Sequence, residues 1–271
     1  MSDRKVNVAM AQLLVEGGEV NRNFERAFNF VKQASQQDCK LIVLPETIDF
    51  AWTHPRSKTE SEPIPGAYSD QFCQMAKEFN IYICVGLTEK INDNKRFNTA
   101  LLIDSEGKIV IKYHKINLLS VEHDYYEVGN TLNVVSTPFG KVGLNICADN
   151  YPDALHIGHT LARMGAEIIL SPSSWTVDHF ISEDTDPYAE KWVKPLNDLA
   201  SKYNIVIIST TSVGYIVGGP YEGKKMVGCS LAVNKDGIIS KGIFNEFAGE
   251  LIVQQIEIPE QQLKGTDFAK L

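Results

Sequence analysis

Strand-sized apolar runs alternate with amphipathic helical segments along the whole chain. This alternation constrains the fold more than any other feature of the sequence. Residues 6–11 read as a first strand, and Asn21 is placed to cap a helix in which Phe24, Ala27, Phe28, Val31 and Ala34 share one face. A strand over 40–45 follows, then a proline-rich loop and a second helix with Tyr68, Phe72, Met75 and Phe79 on its buried side. Strands are expected at 81–87, 97–103 and 109–114, the last two joined by a turn at Ser105-Glu106-Gly107. The second half repeats the style without repeating the sequence. It reads as a strand at 142–146, a helix at 154–164, a strand at 168–170, a helix at 189–203 and a strand at 205–211. A hairpin through Lys235-Asp236-Gly237 and an alternating run at 251–258 complete it. Interleaved strands and helices with added hairpins imply α/β layers built on mixed sheets. No linker or low-complexity tract interrupts the 271 residues, so one domain over 1–271 is expected.

Three of the strand-like runs stop on groups suited to nucleophilic catalysis. Lys40-Leu41-Ile42-Val43-Leu44-Pro45 delivers Glu46, Ile109-Val110-Ile111-Lys112-Tyr113-His114 delivers Lys115, and Lys141-Val142-Gly143-Leu144-Asn145-Ile146 delivers Cys147. A strand ending on such a residue before a polar turn lifts it onto the rim of a sheet. A carboxylate, an ammonium and a thiol together make a base, an oxyanion stabiliser and a nucleophile. A lone cysteine is ordinarily a small buried hydrophobe. The argument therefore rests on the wording around all three residues.

That wording resembles a family. Val43-Leu44-Pro45-Glu46, Tyr113-His114-Lys115-Ile116-Asn117-Leu118 and Gly143-Leu144-Asn145-Ile146-Cys147-Ala148-Asp149 resemble, in order, the signature blocks of the nitrilase superfamily of carbon–nitrogen hydrolases. Arg96-Phe97-Asn98-Thr99-Ala100 and the stretch from Gly165 to Trp175 extend the likeness. The resemblance implies a four-layer α-β-β-α sandwich and assigns Cys147 as nucleophile, Glu46 as base and Lys115 as oxyanion stabiliser. It adds Glu122 as a second glutamate near the lysine; the Ala148 backbone N–H, one residue past the nucleophile, is the natural second oxyanion donor. It also implies a homodimer or higher oligomer. The 154–164 helix is a candidate interface, because Leu155, Ile157, Leu161 and Met164 cannot all face inward from one helix. Ala148-Asp149 after the cysteine favours amides over nitriles, and no arginine lies between Cys147 and Arg163 to hold a carboxylate. Trp52, Tyr126, Tyr151, Trp175 and Tyr188 are candidate pocket walls, since ligand clefts are mostly apolar.

A small-molecule amide hydrolase without cofactor is thus expected, with nitrile or N-carbamoyl hydrolysis as the alternative within the same chemistry. A binding protein that keeps the fold without turnover is the alternative from another class. A net charge of −8 argues against nucleic acid. The start is too short and too polar for a signal peptide, and no run reaches membrane length. Five cysteines at 39, 73, 84, 147 and 229 form no paired pattern, which suits a reducing cytoplasm. His156 and His159 sit at helical spacing with no third ligand in view, so no metal is expected. Neither a Gly-x-Ser-x-Gly elbow nor a phosphate-cradling loop occurs.

Overall fold

A computed structural model describes residues 4–183 and 188–260. In chain order the first half contains β1 (Lys5–Gln12), α1 (Val20–Gln36), β2 (Leu41–Val43), α2 (Ser57–Glu60), α3 (Ala67–Phe79), β3 (Tyr82–Lys90), β4 (Arg96–Ile103) and β5 (Ile109–His114). The second half contains β6 (Val134–Thr137), β7 (Gly140–Leu144), α4 (His156–Arg163), β8 (Ile168–Ser173), β9 (Thr176–Val177), α5 (Lys194–Tyr203) and β10 (Val206–Thr211). After these come β11 (Val213–Tyr215), β12 (Lys225–Val227), β13 (Leu231–Asn234), β14 (Gly237–Lys241) and β15 (Glu250–Glu257).

Two mixed sheets of six strands carry the fold, in the orders β15-β1-β2-β3-β4-β5 and β6-β7-β8-β10-β13-β14. Read in that direction, both sheets follow one pattern: an antiparallel pair, two parallel pairs, then two antiparallel pairs. The halves are thus alike in topology where they differ in sequence. Alternation along the strands sorts side chains between layers. Val8 and Met10 of β1 join the core between the sheets, while Ala9 and Ala11 join the core under α1 and α3. Both faces are covered, so the central strands read as unbroken apolar runs. Phe24 of α1 meets Tyr68 and Phe72 of α3 edge-on at 5.4 and 5.0 Å. Helices α4 and α5 cover the second sheet, completing the α-β-β-α sandwich.

Several expected boundaries move. Asn21 does not cap α1, which starts at Val20; instead Asn23, inside the helix, pairs its side-chain amide with the backbone of Glu16 and ties down the preceding loop. The strand before Glu46 ends at Val43 and the one before Cys147 at Leu144, leaving both side chains on connecting turns. The 189–203 helix begins as a π-turn over Ala189–Val193. Pairing of β9, β11 and β12 in a small third sheet has no counterpart in the sequence reading. In α4, Ile157 and Leu161 turn inward, Leu155 is half-buried, and Met164 just beyond the helix is exposed. Among the described residues no helix is long and apolar enough to cross a membrane.

Asp49 anchors the loop after Glu46. Its buried carboxylate accepts the Phe50 N–H at 2.9 Å and the Thr88 N–H at 2.7 Å. Burial pushes this carboxyl up to about 7 from its ordinary 3.8, against those hydrogen bonds. Between the two values the unfolded chain ionises while the folded one keeps its proton. Asp49 therefore removes stability as pH rises through that window. Asp49→Asn should abolish this component. In urea unfolding, the wild type should lose on the order of 2 kcal/mol relative to the variant between pH 5 and pH 8; parallel pH curves would exclude the effect.

Candidate active site

Three turns at the carboxyl ends of β2, β5 and β7 converge between the two sheets. Glu46, Lys115, Cys147 and Glu122 are all buried there. Two close approaches fix the backbones. A Cβ on Gly86 would lie 2.6 Å from Glu46 Cα, so β3 can run hard against the Glu46 turn only with glycine. A Cβ on Gly129 would meet the His114 carbonyl at 2.0 Å, while the Gly129 N–H bonds the Lys115 carbonyl at 2.9 Å. Thr47 and Cys147 both take positive φ, at 43° and 44°. A non-glycine residue there is strained, and such strain concentrates at functional turns.

Lys115 is the hub. Its ammonium has three N–H donors; it bonds Glu46 Oε1 at 2.9 Å and both oxygens of Glu122 at 2.9 Å. Glu122 is further held by the Trp52 indole N–H at 2.8 Å and the Leu119 N–H at 2.8 Å. Asn98 donates to Glu46 Oε1 at 2.6 Å, whereas Glu46 Oε2 is buried with no partner among the described residues. Burial works against the Lys115 charge, but the Glu122 and Glu46 carboxylates outweigh it and hold its proton far above the ordinary lysine range. Burial also raises the Glu46 carboxyl; Lys115 opposes this and Glu122 adds to it. The Cys147 thiol is pushed well up, first by burial and then by the Glu46 charge, against the pull of Lys115. The Cys147 thiol and the Glu46 carboxyl are thus both held more basic than usual, next to the Lys115–Glu122 ion pair.

The Cys147 turn is latched to the lysine strand by Asp149. Its carboxylate accepts the Tyr113 hydroxyl at 2.6 Å, the Ile146 N–H at 2.9 Å, and the Asn117 N–H and side-chain amide at 3.0 and 2.8 Å. Asn150 secures the other side through Ser171 at 2.8 Å and Asn145. Asp149→Asn replaces one acceptor oxygen by a donor facing donors. It should lower kcat at least about tenfold and cost about 1–3 kcal/mol of stability. Turnover measured well below the unfolding transition separates the two effects; unchanged kcat would remove the latch from the site.

A cavity of about 240 Å³ opens onto Cys147. Trp52, Leu119, Tyr151, Ser174, Thr176 and Tyr221 contribute to its walls, and Lys191 and Lys224 also line it. Trp52 and Tyr151 thus lie where the sequence reading put them. Trp175 does not: its ring is 1% exposed and stacks on Trp192 at 4.6 Å, behind the wall formed by its neighbours Ser174 and Thr176. Tyr188 is behind it too, donating to the Trp175 carbonyl at 3.1 Å, and Tyr126 is buried against the Thr53 backbone. These large rings fill core rather than cleft. Ala148 sits buried in the first turn of the short helix Cys147–Asn150, where N–H groups lack partners within the helix. The roles of Asn98 and Asp149 were hidden inside matched blocks. Lys191, Tyr221 and Lys224 carried no local signal, because distant loops bring them in. Among the described residues no three metal-binding side chains cluster, and His159 bonds the Tyr203 hydroxyl at 3.1 Å.

The carbon–nitrogen hydrolase family model matches residues 7–262. An omega-amidase of Xenopus tropicalis is 25% identical over 182 residues, 64% of this chain and 65% of that protein. A nitrilase of Pyrococcus abyssi is 29% identical over 228 residues, 82% of this chain and 80% of that one. The deaminated glutathione amidase of Mus musculus is 34% identical over 170 residues, 56% of this chain and 52% of its own length. Among solved structures, a variant amidase from Nesterenkonia sp. AN1, with the acetamide moiety of fluoroacetamide on its active-site cysteine, superposes with a TM-score of 0.79 at 17% identity. That match covers 93% of this chain and 90% of the other and establishes the likeness of fold.

Proposed function

This chain belongs to the carbon–nitrogen hydrolase family, and we propose that it cleaves the C–N bond of a small carboxamide through a Cys147 thioester. The carrying observation is the buried Lys115 that joins two buried carboxylates beside a strained, buried cysteine at the floor of a cavity. The relatives known as omega-amidase and deaminated glutathione amidase favour amides over the nitrile alternative.

Cys147 attacks the amide carbon as its S–H proton passes to Glu46. The Lys115 charge and the Ala148 N–H stabilise the oxygen of the tetrahedral intermediate. Since Glu122 takes two of the three ammonium donors, Lys115 acts first through charge. On collapse the C–N bond breaks, and Glu46 returns its proton to the departing nitrogen. Water then enters, gives a proton to Glu46 and adds to the thioester carbon; the C–S bond breaks, the acid leaves, and Cys147 recovers the proton. Trp52 and Leu119, by bonding Glu122, keep that carboxylate on Lys115 and leave Glu46 as the base. The exposed Met164 after one end of α4 and the half-buried Leu155 before the other support pairing of two copies through this helix.

Ammonia release from a panel of small amides, nitriles and N-carbamoyl compounds, with mass spectrometry of acid-quenched enzyme, tests the reading. Amides should be turned over and an acyl adduct should map to Cys147. Turnover without adduct, or nitriles preferred over amides, would overturn it.

A further inference from the structure

A second cavity, of about 480 Å³, opens at the other end of the sandwich. Its walls come from the starts of β1 and β3, the residue before β2, the β4–β5 turn and, from the second sheet, the β6–β7 turn. Because β1, β2 and β3 run parallel, these starts lie at the end of the first sheet away from Glu46, which follows β2. The β6–β7 turn precedes β7 and so lies away from Cys147. The buried lining is apolar. Val6 and Phe139 are buried, and Tyr82 meets Phe139 edge-on at 5.1 Å across the gap between the sheets. The more exposed lining consists of donors: Arg4, Lys5, Lys40, Asn80 and Ser105. Among the described residues no carboxylate lines this cavity, in a chain of net charge −8. The acidic groups around it are already bound. Glu167 is held by Arg4 at 2.9 Å and by the Lys141 N–H at 2.8 Å, Glu106 by Lys108 at 2.6 Å, and Asp104 by the Glu106 and Lys108 N–H groups at 2.9 Å. Lys40 is exposed and enters no ion pair with any described residue.

From this geometry we infer that the cavity is a second binding site, for a phosphate monoester carried on a flat ring. The ring lies against Tyr82 and Phe139, and the phosphate lies among Arg4, Lys5 and Lys40. The site is separate from the one at Cys147 and does not depend on the amidase reading. Three features set the ligand class. The volume falls within the roughly 300–1,000 Å³ of small-molecule sites. An edge-to-face aromatic pair accepts a further ring, by offset stacking or edge-on. Cations and neutral donors arriving from several separate segments match the three acceptor oxygens and nearly two charges of a phosphate better than the two oxygens of a carboxylate. Since the walls belong to both sheets, an occupant that binds only the folded chain stabilises the sandwich by mass action.

Calorimetric titration of the full chain with phenyl phosphate, benzoate, benzyl alcohol and inorganic phosphate separates ring from charge. Phenyl phosphate should bind about tenfold or more tightly than any of the other three, which lack the second charge, all charge or the ring. It should also raise the unfolding temperature most. Lys40→Glu reverses an exposed charge, so the free variant should unfold at the wild-type temperature; its affinity for phenyl phosphate should fall about tenfold or more. Tyr82→Leu should weaken phenyl phosphate by roughly two- to tenfold and leave inorganic phosphate unchanged. Absence of phenyl phosphate binding would overturn the inference. So would an affinity unchanged in both variants, which would place the ligand elsewhere. Inorganic phosphate binding as tightly as phenyl phosphate would overturn the ring assignment, and benzoate binding as tightly would overturn the phosphate assignment.

Discussion

Cys147→Ala is expected to reduce amide turnover by about 10⁵-fold or more, the scale on which loss of a nucleophile is felt. The fold should survive. Alanine keeps the Cβ and removes one sulfur from a residue that is 6% exposed, and the turn itself is held by Asp149 and Asn150 rather than by the thiol. Ammonia release and thermal unfolding of the same sample check both halves; retention of more than about one part in a hundred of the activity would exclude the thioester route. The other cysteines offer no substitute. Burial raises the Cys39 thiol to about 11 and the Cys84 thiol further. Cys147 is raised as well, so its reactivity does not come from a standing thiolate. In the proposed mechanism it comes from access through the cavity and from a carboxylate placed to take the proton as the bond forms.

The layers were legible in the sequence because both faces of the central strands are buried and the helices are amphipathic. Val8, Met10, Leu41 and Val43 form uninterrupted apolar runs, and Phe24 and Phe72 mark faces that do meet. Glu46, Lys115 and Cys147 were legible because each lies on the turn that leaves a strand, Lys115 directly after β5 and the other two a short step beyond β2 and β7. Glu122 was legible only as a neighbour in the chain; its two bonds to Lys115 depend on a turn that periodicity does not reveal. The large aromatic rings misled. Trp175 beside a matched block reads as a pocket wall, but a ring of that size fills the space behind a wall equally well, and stacking on Trp192 decides the matter. The lysines of the cavity were illegible for the opposite reason. Lys191 and Lys224 look like ordinary surface charges; a remote segment brings Lys191 over Tyr151, while Lys224 and Tyr221 share one turn that only the fold carries to the cavity. Asn21 failed as a cap because a tertiary bond network, centred on Asn23, sets where α1 begins.

Glu46→Gln should lower kcat/KM by about 10²–10⁴-fold at neutral pH with little change in stability. The argument lies in what each oxygen of Glu46 does. Oε1 accepts from Lys115 and Asn98, and a glutamine carbonyl can accept both bonds. Among the described residues Oε2 has no partner, so an amide nitrogen in its place displaces no bond seen there. The framework is preserved and only the ability to carry a proton is lost. That loss would touch both halves of the proposed reaction, in which the same carboxyl protonates the leaving nitrogen and later activates water. Removing the Glu46 charge also removes one of the influences that raise the Cys147 thiol, so the thiol itself should ionise at lower pH in the variant. Glu46→Gln should thus form a thiolate more readily and yet turn over amide far more slowly. Thiolate absorbance against pH, measured beside steady-state rates, reads the two together. Turnover within about threefold of wild type would show that some other group moves the proton. A thiol titrating at the wild-type pH would show that Glu46 does not sense Cys147 through its charge.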